Sequence, residues 1–182
     1  DKDVLLVPCG VDFDQFDPGR TRPAHLPVDV GNRDVLVFSG TVSRFTGCDL
    51  IPGFAQDLVR LHENVLFVIV GTGPYLEPMI AEVRKRSLGE YFHFAGSVRH
   101  EDVPGYLKLA KIGVSFLPNR RDAVLGVFPM KIPEYMAMGC VPVVNALGEN
   151  RWIVEDSVTG LCDLPENLPK IFRCSSSDVL LR

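Results

Sequence analysis

Apolar runs punctuate the chain at 4–7 (VLLV), 35–38 (VLVF), 65–70 (VLFVIV), 112–117 (IGVSFL) and 141–144 (VPVV), with a sixth strand-like run at 91–95. Most are apolar throughout, which suits strands buried on both faces of a sheet. Between them the period changes to that of a helix. Leu50, Phe54, Leu58 and Leu61 recur at helical spacing, with Asp49 as the expected cap and an end near His62. Pro74 stands where the next helix starts, and Leu76, Ile80 and Val83 give it an apolar stripe. Shorter helices are expected at 101–110 and 149–155, and a last strand at 159–162. In residues 130–138, Met130, Ile132 and Met136 can share an apolar side, Pro129 suits the first turn and Gly139 ends the helix.

Strands alternate with helices through short connections. This predicts an α/β fold: a Rossmann-like, doubly wound parallel sheet. Ligands of such sheets sit outside the carboxyl ends of the strands, so the loops at 39–47, 71–74, 96–100, 118–128 and 145–149 are the ones to watch. Residues 164–182 lose periodicity and are expected to be poorly ordered.

Size and composition narrow the classes. At 182 residues the chain is one domain's worth, with 46% hydrophobic and 23% charged residues. A net charge of −4 gives no basic field for nucleic acid. Five widely spaced cysteines without a C-x-x-C argue against a disulfide framework or zinc site and for a reducing compartment. No apolar run approaches the roughly 20 residues needed to span a bilayer. The chain starts without Met, so its N-terminus is expected to be a cut from something longer.

The chemistry concentrates in a few places. Gly71-Thr72-Gly73 follows a strand and opens a helix, where backbone N–H groups can meet phosphate. It is a poor dinucleotide fingerprint, because the third glycine would fall at Leu76 and the next strand ends in Phe94-Ala95 without an acid. A tight turn explains the two glycines equally well. Glu134 stands early in a helix whose start should point into the ligand crevice. It can accept hydrogen bonds from two adjacent sugar hydroxyls, or pair with Lys131. Gly126-Val127-Phe128 can offer free N–H groups to a diphosphate, helped by the helix dipole. Arg44, Arg99, Arg120, Arg121 and Lys131 are the cations on or near these loops. Asp12-Phe13-Asp14 imitates a D-x-D metal motif but reads as turn carboxylates. His62 and His100 read as structural.

Together these stretches resemble the donor-binding, C-terminal domain of a GT-B glycosyltransferase, in the retaining family 4 (glycosyl transferases group 1). VPCGVDFDQFDP looks like that family's interdomain linker. VFSGTVSRFTGCDLI, VLFVIVGTGPYLEPM, FHFAGSVRHEDVPGYLKLAKIGVSFLP, PMKIPEYMAMGCVPVV and GENRWIVEDSVTGLC follow its remaining segments in unbroken order, over about residues 4–163. The resemblance implies an interdomain linker and first strand at 1–34, a donor-binding Rossmann-like domain at 35–163 and an irregular tail at 164–182.

By position, Glu134 is the second Glu of the family's Glu–seven residues–Glu motif, the one that binds the donor ribose. The first falls at Gly126, so the usual hexose-holding carboxylate is missing, and Asp122 is the candidate substitute. The diphosphate-binding Arg and Lys fall at Thr41 and Thr46, with Arg44 between them as replacement. Arg99 matches the position whose backbone contacts the base. The implied donor-site set is Gly40, Thr41, Arg44, Gly71, Gly73, Arg99, Asp122, Gly126, Val127, Phe128, Lys131 and Glu134, with no metal and no catalytic residue assigned in this half. The implied substrate is a UDP- or GDP-sugar, with no obligatory cofactor. The implied partner is an N-terminal acceptor domain of the same protein, which would carry any peripheral contact with the cytoplasmic membrane face. The expected reaction is sugar transfer with retention by the full-length enzyme, in the cytoplasm. The alternatives are a catalytically degraded GT-B domain serving as a binding or regulatory module, or half of a nucleotide-sugar epimerase.

Overall fold

The computed structural model of the chain describes residues 10–118, 129–147, 150–154 and 160–162. Among these residues six strands form one sheet: β1 (Asp34–Ser39), β2 (Val65–Val70), β3 (Phe92–Gly96), β4 (Ile112–Ser115), β5 (Val141–Val144) and β6 (Leu161–Cys162). The helices are α1 (Ile51–Leu61), α2 (Leu76–Lys85), α3 (Val103–Leu107), α4 (Lys131–Ala137) and α5 (Asn150–Ile153). All strand pairs are parallel, in the order β3-β2-β1-β4-β5-β6. This is the doubly wound arrangement expected from the alternation of elements.

The apolar strands are buried on both faces, as their composition requires. Along β1, Leu36 and Phe38 join Phe67 and Ile69 of β2 under α1 and α2. Val35 and Val37 turn the other way, joining Leu66, Val68 and Val70 under α3 and the Tyr135 and Met138 side chains. The connection before β1 belongs to the same body: its Phe16 and Leu26 are buried in this second cluster. No helix among the described residues is long and apolar enough to cross a membrane.

Several expectations need correction. Asp49 does not cap α1: it lies in a 3-10 turn (Cys48–Leu50), and the helix begins at Ile51 with Pro52 in its first turn. The helix expected at 101–110 is a 3-10 turn (His100–Asp102) followed by the five residues of α3. The strand expected at 112–117 closes at Ser115. On α2 the fully buried side chains are Met79 and Val83, while Leu76 and Ile80 are only partly covered. On α4 the core face is Ile132 and Tyr135, and Met130 is 51% exposed. The strand expected at 4–7, most of the loop at 118–128 and the tail at 164–182 lie outside the described residues.

Candidate functional site

The strand order reverses between β1 and β4, and the chain leaves those two strands in opposite directions. A crevice must open at their carboxyl ends. A cleft of about 350 Å³ is found there. Its walls are Ser39, Gly40 and Thr41 after β1, Ser115, Phe116 and Leu117 after β4, and Met130, Lys131 and Glu134 around the start of α4. Phe45, Thr46, His100, Val103 and Pro129 complete it.

α4 can serve this cleft because of its spacing. Residues three apart share a helix face, so Lys131 and Glu134 reach the cleft while Ile132 and Tyr135 go to the core. Tyr135 pins the helix across the switch point. The Ser39 N–H donates to its phenolic oxygen at 3.0 Å, and the phenol donates to Val114 O at 3.3 Å. Burial pushes this phenol above its ordinary range. Gly113 makes room for the ring: a Cβ there would lie 2.1 Å from Tyr135 Cδ2.

Lys131 lies along Phe38, its Nζ 4.4 Å from the ring centroid, and packs over Gly40. Burial lowers its pKa to about 8, partly opposed by the Glu134 carboxylate. The Glu134 side chain is 15% exposed, and its Oε1 lies 3.3 Å from His100 Nε2. The cleft floor therefore holds one ammonium and one carboxylate against an apolar wall. Such a site can attract phosphate at one point and bond vicinal hydroxyls at another.

The other expected residues are distributed differently. Gly40 and Thr41 line the cleft. The Arg44 guanidinium stacks over Tyr75, 5.1 Å from its centroid, and is not part of the cleft wall. Thr46 Oγ1 lies 2.8 Å from both Thr41 O and Ser43 O, so it closes its own loop. Gly71 and Gly73 stand behind the cleft. A Cβ at Gly71 (φ 134°) would meet Gly40 O at 1.9 Å, and one at Gly73 would meet Val42 O at 2.4 Å. Close backbone approach explains both glycines. Arg99 is exposed and ion-paired with Glu101 and Asp102, beside a second, more polar hollow of about 620 Å³. Asp122, Gly126, Val127 and Phe128 lie outside the described residues.

The Asp12 carboxylate accepts the N–H groups of Asp14 and Gln15, so it forms a turn. Among the described residues no group of three His, Cys, Asp or Glu side chains could hold a metal. His62 lies 2.8 Å from Asp34 at the far end of β1. His100, read from the sequence as structural, stands in the cleft wall. It ends the 96–100 loop, one of those at the carboxyl edge of the sheet, and that position was the available signal.

The family profile described as glycosyl transferases group 1 matches residues 28–168. The chain belongs to this family. Among its relatives is an alpha-D-kanosaminyltransferase of Streptomyces kanamyceticus, 27% identical over 87% of this chain and 40% of that protein. A GDP-mannose-dependent alpha-(1-6)-phosphatidylinositol monomannoside mannosyltransferase of Mycolicibacterium smegmatis is 30% identical over 76% of this chain and 37% of its own length. This group 1 chain thus spans about two-fifths of those two relatives. Among solved structures, Anabaena HepE in complex with UDP and glucose superposes with a TM-score of 0.71 at 17% identity, over 94% of this chain and 47% of that one. Sucrose-phosphate synthase from Thermosynechococcus elongatus gives 0.69 at 18% identity, over 97% and 45%. These likenesses show the GT-B type of α/β fold for the group 1 chain.

Proposed function

We propose that the chain is the donor-binding half of a retaining glycosyltransferase that uses a nucleotide-diphosphate sugar. One observation carries this reading: a cleft at the β1–β4 switch point has Lys131 and Glu134 side by side in its wall. A nucleoside diphosphate would lie with ribose hydroxyls on the Glu134 carboxylate and a phosphate on the Lys131 ammonium and the backbone at Gly40 and Thr41. Lys131 would then offset the charge that grows on the diphosphate as the glycosidic bond breaks, the electrostatic work such a reaction needs. The acceptor and the rest of the catalytic groups would come from a second domain across the cleft. The relatives support the substrate class, since one is GDP-mannose-dependent and HepE was solved with UDP and glucose.

A second reading has its own support. The expected phosphate-binding cations are replaced by Thr41 and Thr46, the latter engaged in its own loop, and Arg44 faces Tyr75. A domain that binds donor weakly, as a regulatory module, would look the same in this region.

Calorimetric titration with UDP, GDP, ADP and their sugar conjugates tests both. Saturable binding of one nucleotide, weakened about tenfold or more by Glu134→Ala, supports the donor-site reading; losing charged hydrogen bonds of this kind costs about 1.5–3 kcal/mol. Binding unchanged by Glu134→Ala removes that carboxylate from the site. Activity of the full-length protein that depends on Glu134 separates the enzyme from the module.

A further inference from the structure

The cleft carboxylate is not held by its own helix. Among the described residues its side chain's hydrogen-bond partner is His100, from the loop after β3, and His100 is held in turn by the segment preceding β1. Gln15 Nε2 donates to His100 O at 3.0 Å and lies 3.0 Å from His100 Nδ1. The Gln15 amide has two hydrogens and uses one on each acceptor. Its orientation is set, because the flipped amide would point oxygen at the His100 carbonyl. With Nδ1 accepting, the imidazole proton is on Nε2, the atom 3.3 Å from Glu134 Oε1. Gln15 therefore selects the tautomer that donates to Glu134.

The parts around this chain are built to hold it. The Asp12 turn fixes Gln15, whose N–H it binds. Phe16, 2% exposed, meets the His100 ring edge-on at 5.6 Å between centroids. His100 itself is 66% exposed and Glu134 15%, so the ring stands at the cleft mouth over the carboxylate.

We infer that His100, oriented by Gln15, is a positioning residue that aims the Glu134 carboxylate at the ribose of the bound nucleotide, which makes the segment preceding β1 a working part of the donor site. This rests on the reading of Glu134 as the ribose-binding group. A carboxylate with one oxygen engaged by His100 presents the other in a defined direction, so two sugar hydroxyls meet a fixed acceptor rather than a rotating one. The segment's conformation is thereby coupled to nucleotide affinity, as movement of Gln15 frees the ring and movement of the ring frees Glu134.

The test titrates the 182-residue chain with UDP and GDP and with their 2′,3′-dideoxy counterparts. His100→Ala is expected to weaken the ribonucleotide about tenfold and Gln15→Ala about threefold, while dideoxynucleotide affinity stays within twofold. His100→Gln, which keeps a neutral N–H donor, should restore most of the loss. The double variant His100→Ala/Glu134→Ala should bind no more weakly than Glu134→Ala alone. Equal losses for both sugars, or additive losses in the double variant, would overturn the inference, because His100 would then act by direct contact or general structure. A damaging Glu134→Ala beside a silent His100→Ala would also overturn it while leaving the ribose reading intact. If Glu134→Ala is itself silent, the ribose reading fails and this inference goes with it.

Discussion

Lys131 carries two opposite responses to pH. Its amine has its ordinary value in the unfolded chain and about 8 in the folded one, because burial disfavours the charge. Below about 8 it is charged in both states, and the folded state bears the cost of burying it. Above about 8 the folded chain releases the proton while the unfolded chain keeps it, so stability rises with pH up to the ordinary lysine range. Affinity for a diphosphate should fall over the same window, since the ammonium disappears. Chemical denaturation and nucleotide titration between pH 7 and 9.5 should thus move in opposite directions, and Lys131→Met should flatten both curves. Tyr135 makes a second prediction at this scale. Tyr135→Phe leaves the buried Ser39 N–H without its acceptor and should cost about 1–3 kcal/mol in urea unfolding. Gly113→Ala forces a methyl into a ring held at its far end by three hydrogen bonds and should cost about 3 kcal/mol, the upper end for overpacking. A Tyr135→Leu background should relieve that second cost.

At the scale of elements, strands were more legible in the sequence than helix faces. β2 and β5 have the bounds that their apolar runs suggest, since burial on both faces leaves a continuous apolar signature. α4 was harder. A stripe count favours Met130, Ile132 and Met136, but Tyr135 takes the core position because Ser39, Val114 and the space at Gly113 receive it. Those three partners come from two distant strands, and no local pattern reveals them. His100 stood in a loop the sequence singled out, but its role was hidden because Gln15 and Glu134 are far from it along the chain. The glycines at 71 and 73 were visible, and their cause was not: they let the β2–α2 turn lie against Gly40 and Val42. Val42 N–H donates to Thr72 O and receives the Tyr75 N–H on its own carbonyl, tying the two loops together. Gly71→Ala should therefore displace the Gly40 loop, lowering the thermal midpoint and weakening nucleotide binding together, whereas Gly89→Ala, where a Cβ meets nothing, should change neither.

For the molecule as a whole, the cleft is the feature that matters. Among the described residues its walls come from the ends of β1 and β4, the start of α4 and the His100 loop of one body. We expect this chain alone to bind donor without transferring sugar, because no group among the described residues facing the cleft is placed to activate an acceptor. An assay with radiolabelled nucleotide sugar checks this: turnover by the isolated chain would show that it holds a complete catalytic site. The fold itself was readable from alternation alone, and the switch point follows from the order of the strands. The residues alone suggested a diphosphate and sugar hydroxyls near Glu134, but only the resemblance singled out a nucleotide-sugar donor, because a Lys and a Glu three residues apart on a helix are common on any surface.

The place of β1 in the sheet bears on how the chain acquires its shape. β1 meets β2 across one helical crossover, but its other neighbour, β4, arrives only after β2, α2, β3 and α3 have been made, with Leu36 opposite Ile112. Pairings between distant parts of a chain are slow to form, since a large loop must close before any contact rewards it. The β1–β2–β3 portion can therefore zip together first, and the β1–β4 seam is the late event. The cleft lies at the end of that seam. On that order the cleft forms with the late seam and not with the early β1–β2–β3 unit, so a ligand captured there would act on the seam rather than on the collapse that precedes it.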